Sequence, residues 1–155
     1  MAKSLEQELK AFFTGPLADA AAQGLKSEAC IGLRIDGEAY FFVRRGKKNQ
    51  LLRRAPVDPQ VEFKIPADSM RYFLDLHALP ATSLSVLGLA ILQSMLSQDP
   101  QRKVTVKVKS SWLTLFSLGY FSVLKAGGPE VASYMAKKGF GSIMQIKAFL
   151  QKIRG

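Results

Sequence analysis

The spacing of apolar residues changes period several times along this chain. Near the N-terminus Leu5, Leu9, Phe12 and Phe13 recur at helical intervals, and Ser4-Leu5-Glu6-Gln7 has the form of a capping box, so a first helix is expected near residues 4–13. Gly15-Pro16 interrupts it, and Leu17–Gln23 resumes as a short Ala-rich helical stretch. The period then drops to two. Ile31, Leu33 and Ile35 alternate with Gly32, Arg34 and Asp36; Asp36-Gly37 is a strong hairpin signal; and Glu38–Arg45, rich in aromatics at Tyr40, Phe41 and Phe42, is the return strand. Gly46-Lys47-Lys48-Asn49 reads as a turn, Gln50–Arg54 as a third strand, and Val61, Phe63 and Ile65 as the inward positions of a fourth. The four strands are expected to form an antiparallel meander with one face covered.

Helical spacing returns after Pro66. Asp68-Ser69 opens a helix with the apolar face Met70, Phe73, Leu74 and His77, which Pro80 stops. Thr82-Ser83 offers an N-cap for Leu84–Gln98, a segment apolar nearly all round and therefore expected to be deeply buried or to line a cavity. Val104, Val106 and Val108, alternating with Thr105, Lys107 and Lys109, give the cleanest strand signal in the chain. Ser110-Ser111 then caps a helix over about Trp112–Ala126, closed by Gly127-Gly128. Pro129 and Gly139 bracket a short helix, and a last one carries the stripe Ile143, Ile146, Leu150, Ile153. Grouped strands followed by helices predict an α+β class in one domain spanning 1–155.

Composition bounds this picture. Apolar residues make up 48% of the chain, with ten Phe, which excludes extensive disorder. The lone cysteine, Cys30, excludes an intramolecular disulfide; beside Ile31 at a strand start it reads as a buried, reduced thiol, and nothing nearby supports a nucleophile. The first residues hold acids where a signal peptide needs an apolar run, and Leu84–Leu96 and Trp112–Leu124 both fall short of the roughly 20 residues that cross a bilayer. A cytoplasmic location is therefore expected, with peripheral docking at the inner face of a membrane.

Charge is uneven. The net charge is +10, but residues 1–100 carry 12 basic and 11 acidic side chains while residues 101–155 carry 10 and 1. Such an excess suits an anionic membrane surface or nucleic acid, and equally a solvated face. Two clusters are candidates for a membrane surface: Arg44, Arg45, Lys47 and Lys48, with Arg53 and Arg54, around one hairpin; and Lys137, Lys138 and Lys147 around the final helix. The final helix has two readings, on lipid or packed on the domain by its Ile stripe. Nucleic acid is not the expected partner, because the basic residues are not interleaved with aromatics in a recognisable module; a nucleic-acid-binding protein using the basic surface is the second alternative function.

Catalytic chemistry is not expected, and no catalytic, cofactor or metal site is assigned. The chain has one His and one Cys, no metal-ligand spacing, and no glycine-rich phosphate loop following a strand. His77 has two readings, a packed histidine or a group at the mouth of a ligand site.

The run 31–109, about half the chain, resembles the sterol carrier protein 2 family. The resemblance rests on Ile31-Gly32-Leu33-Arg34-Ile35-Asp36-Gly37-Glu38-Ala39 leading into an aromatic strand, Val61-Glu62-Phe63-Lys64-Ile65, Ala67-Asp68-Ser69 opening an apolar helix, and Arg102-Lys103-Val104-Thr105-Val106-Lys107-Val108. It implies a five-stranded, mainly antiparallel sheet with helices packed on one face around an apolar tunnel, here with a C-terminal helical extension over 110–155. The ligand it implies is a lipid or other long apolar molecule: fatty acid, phospholipid, sterol-like or polyprenyl. Some bacterial relatives look like accessory proteins of ubiquinone synthesis, an alternative reading of this chain. The chain departs from the family in its long Leu84–Leu96 segment, in Arg102-Lys103 where the family has Gly-Lys, and in the apolar Ser110–Leu124. Taken alone, the apolar helix faces read as plain core. The resemblance makes them candidate lipid contacts: Phe42, Phe63, Met70, Phe73, Leu74, His77, Leu87, Ile91, Met95, Trp112, Leu115, Phe116 and Phe121. A buried acyl chain gains about 0.8 kcal/mol per methylene, so affinity requires no specific polar contact.

Overall fold

The computed structural model describes residues 4–126. The helices expected from Pro129 onward, and with them Lys137, Lys138 and Lys147, lie outside the described residues. Within them the order is α1 (Leu5–Thr14), α2 (Pro16–Ala21), β1 (Cys30–Ile35), β2 (Glu38–Arg45), β3 (Lys48–Leu52), β4 (Val61–Ile65), α3 (Ala67–Ala78), α4 (Leu84–Met95), β5 (Thr105–Val108), α5 (Trp112–Ser117) and α6 (Tyr120–Lys125). The class is α+β.

Local chemistry sets most of these boundaries. Ser4 and Gln7 complete the capping box of α1, each side chain bonding the other's backbone N–H. Ser83 and Ser111 cap α4 and α5 by accepting from Val86 and Thr114 N–H. Asp36 and Gly37 have φ of 51° and 78°, the paired left-handed conformation that a two-residue hairpin of matching twist requires.

The sheet order is β3-β2-β1-β4-β5. Three pairings are antiparallel, but β4 runs parallel to β1 with Ile31 opposite Val61 and Leu33 opposite Phe63. The meander expected for the first four strands is thus corrected at its fourth: β4 lies on the far side of β1 rather than beside β3. Residues 53–60 carry the chain across the outer face of the sheet. Pro59 is buried there against Gly32, and the Val57 backbone lies at the Cys30 thiol.

Two further corrections have clear causes. The second turn is tighter than expected: Gly46 and Lys47 make it, and Lys48 and Asn49 already belong to β3. Asn49 is drawn into the strand because its side chain is buried, accepting from Arg44 at 2.7 Å and donating to the Phe13 carbonyl at 3.2 Å. The helix expected over Trp112–Ala126 breaks into α5 and α6 at Gly119, whose φ is 89°. A Cβ at that position would stand 1.9 Å from the Gly24 carbonyl oxygen, and Lys26 N–H donates to the Leu118 carbonyl at 2.9 Å. The backbone must turn here to dock on the segment before β1, and only glycine permits the approach.

Strand parity sorts the residues of the sheet. Ile31, Leu33, Ile35, Tyr40, Phe42, Leu51, Val61, Phe63, Ile65, Val106 and Val108 share the inner face and pack with Leu9, Phe12, Met70, Phe73, Leu74, Leu87 and Met95 in one apolar cluster. The opposite parity carries Arg34, Arg45, Lys48, Lys64 and Lys107, all exposed.

Candidate functional site

The helical layer over the inner face is the candidate site. α3 supplies Met70, Phe73 and Leu74, and α4 supplies Leu87, Ala90 and Met95, all buried. The sheet supplies Phe42, buried, and Phe63, half-buried, and α5 supplies the buried Leu115. Ile91 is half-buried against the same cluster. Most of the candidate lipid contacts are therefore brought together. Phe116 is not: it is 59% exposed, as is its neighbour Leu113 at 79%. Trp112 and Phe121 belong to α5 and α6, and their side chains lie outside what the structure describes.

Aromatic rings pack where α1 meets the sheet and α3. Phe12 meets Phe13 edge-on at 4.9 Å, Phe13 lies 5.8 Å from Phe42, and the His77 ring lies 5.1 Å from Phe12. His77 is half-buried at the end of α3, on the rim of the layer rather than in its middle.

Charged groups fix the helices around this layer. Arg71 of α3 binds Glu8 of α1 at 2.5 Å and Asp75 at 3.1 Å. Arg53 lies 4.5 Å from the centre of the Tyr40 ring and binds Glu38 at 2.6 Å. Arg44 corrects an expectation. It is 6% exposed, its guanidinium held by Asp19 at 2.9 Å and Asn49 at 2.7 Å, so it ties α2 to the first strands and is no part of a membrane surface. Arg45 and Lys48 are exposed on the outer face and Lys47 at the hairpin tip.

A second polar cluster, unforeseen in the sequence, holds α6 to the sheet. The Tyr120 hydroxyl lies 2.7 Å from Gln60 Oε1 and 3.1 Å from the Cys30 carbonyl, and the same Gln60 oxygen accepts from Cys30 N–H at 2.7 Å. Burial pushes the Tyr120 hydroxyl pKa well above its usual value, and burial also raises that of the Cys30 thiol. The partners are 60 and 90 residues apart, so no local pattern announces them.

Among the described residues no group of three His, Cys, Asp or Glu side chains is placed to hold a metal, and no helix is long and apolar enough to cross a membrane. α4 has the most uneven surface. Its sequence is apolar nearly all round, yet Val86 is 44% exposed and Leu84, Leu89 and Ile91 are only half-buried. The chain matches no protein-family model, no curated protein and no solved structure.

Proposed function

We propose that this chain binds an apolar lipid between its helices and sheet and carries or presents it at an anionic membrane surface. The reading rests on α4, a helix apolar nearly all round that the described residues cover on one side. A helix with only Ser85, Gln93 and Ser94 as polar residues among its twelve rarely occupies a half-covered position. A long apolar ligand lying along Val86 and Leu89 would extend the burial, at about 0.8 kcal/mol per methylene before ordering costs. The resemblance of residues 31–109 to the sterol carrier protein 2 family supports the same reading, with an apolar tunnel as its finer form.

Native mass spectrometry of protein purified without denaturant, followed by lipid extraction, tests it. The expected result is a bound lipid. Protein that emerges empty and also fails to take up a fluorescent fatty acid overturns the reading. A polyprenyl ligand would instead favour the accessory role in quinone synthesis.

A further inference from the structure

Among the described strands the outer face of the sheet is nearly single-signed. On the strands Arg34, Arg45, Lys48, Lys64 and Lys107 project from it and Glu62 is the one acid; just beyond the strands stand Lys109 after β5, Asp36 after β1 and Asp58 in the crossing segment. Glu62 is engaged by Lys109 at 3.1 Å. Arg34 and Lys64 stand side by side in register on the parallel pair β1–β4. Neighbouring strands lie about 4.8 Å apart, and like charges placed directly across from each other weaken a sheet. Folding therefore gains nothing from this pair. A face that needed only solubility, or protection of an edge strand, would be served as well by mixed signs.

We propose that this outer face is a docking surface for the anionic headgroups of a lipid bilayer, with Arg34 and Lys64 on its interior strands and Lys107 on the edge strand beside them. The inference rests on the carrier reading only in choosing a bilayer over another polyanion, and the form of the face makes the same choice. The sheet surface is broad and offers neither a groove for a strand nor an element to enter a duplex groove. Its aromatic, Phe41, is half-buried rather than displayed for base stacking. The segment crossing it displays Val57 at 45% exposure. An apolar side chain beside basic ones suits the boundary between headgroups and acyl chains.

Co-sedimentation with phosphatidylserine-rich and with pure phosphatidylcholine vesicles tests this. The protein is expected to bind only the former, and more weakly as salt rises. The neutral triple Arg34→Gln, Lys64→Gln, Lys107→Gln is expected to lower partitioning about a hundredfold, at about fivefold per charge. The reversal to Glu at the same positions should go further. The reversal Lys10→Glu, Lys26→Glu, Lys125→Glu makes the same change in net charge at exposed sites elsewhere. It should cost less than about tenfold, because only nearby charges feel the surface. Melting curves should show all variants folded; should a Glu variant not fold, the Gln triple carries the test. Equal losses in the two reversal triples overturn the inference, as does a loss seen on duplex DNA with no vesicle binding by the parent chain. Fluorescent fatty-acid uptake without vesicles separates the two readings. Uptake without vesicle binding overturns this inference alone, and vesicle binding without uptake overturns the carrier reading alone.

Discussion

The same five strands make two unlike faces. Along β1 the inner positions are Ile31, Leu33 and Ile35 and the outer ones Cys30, Gly32 and Arg34; along β4 they are Val61, Phe63 and Ile65 against Glu62 and Lys64. One residue of shift would exchange them. The inner face needs a cover and has one in α1, α3 and α4. The outer face has buried positions at Cys30, Gly32 and Val43, and among the described residues the segment 53–60 crosses it, while its basic positions are exposed. Most of the apolar burial therefore lies on one parity, while the basic positions of the other stay open to something outside the molecule.

Truncating one residue on each face should separate the two most widely. Phe73 is 2% exposed in the inner layer, and Phe73→Ala is expected to lower stability by about 3–5 kcal/mol. Lys64→Ala on the outer face should change it by less than about 0.5 kcal/mol. Urea denaturation of the two variants decides; similar losses would mean that the outer face also carries the fold.

Gly119 comes next. Gly119→Ala forces a side chain into a left-handed residue and onto the Gly24 carbonyl. It is expected to cost about 2 kcal/mol or more and to release α5 and α6 from the segment before β1, seen as faster amide exchange at Lys26. A melting temperature equal to the parent's would place the break in the helix elsewhere.

Arg44 marks a charge on the wrong parity for solvent. Arg44→Met keeps the aliphatic stem but leaves the buried Asn49 oxygen without its donor, and should cost about 1–3 kcal/mol. Arg45→Met, one residue on and facing outward, should cost nearly nothing. Thermal melts of the pair check whether parity alone separates two adjacent arginines.

Much of this was legible in the chain. The α1 capping box, the Asp36-Gly37 hairpin and the alternations over 31–35, 61–65 and 104–108 are local signals, and each element forms where its signal lies. Arg44 was legible too, for it shares parity with Tyr40 and Phe42, and grouping it with a basic hairpin tip overlooked that alternation. Arg34, Lys64 and Lys107 were readable by the same rule. The position of β4 was not. Its alternation is the same whether it pairs with β3 or β1, and the choice is made by residues 53–60 crossing the sheet. The Gly119 break and the Tyr120–Gln60–Cys30 contacts were equally hidden, since both depend on approaches between distant segments.

Tyr120 gives the smallest effect and the most specific one. Tyr120→Phe removes the hydroxyl while Cys30 N–H still serves Gln60 Oε1, so about 0.5–1.5 kcal/mol is expected at neutral pH. The pH dependence separates this from a packing loss. Burial raises the pKa of both acids in the fold, from ordinary values of 10.0 for Tyr120 and 9.0 for Cys30. The folded state thus favours the protonated forms. Their contribution is whole below pH 9 and is lost as pH rises past the unfolded values toward the folded ones. The parent chain should therefore lose stability steeply from about pH 9 upward. Tyr120→Phe should lose less over the same range, so the two stability curves converge with rising pH. Parallel curves would mean that the hydroxyl titrates alike in folded and unfolded chains and that its burial does not hold α6 to the sheet.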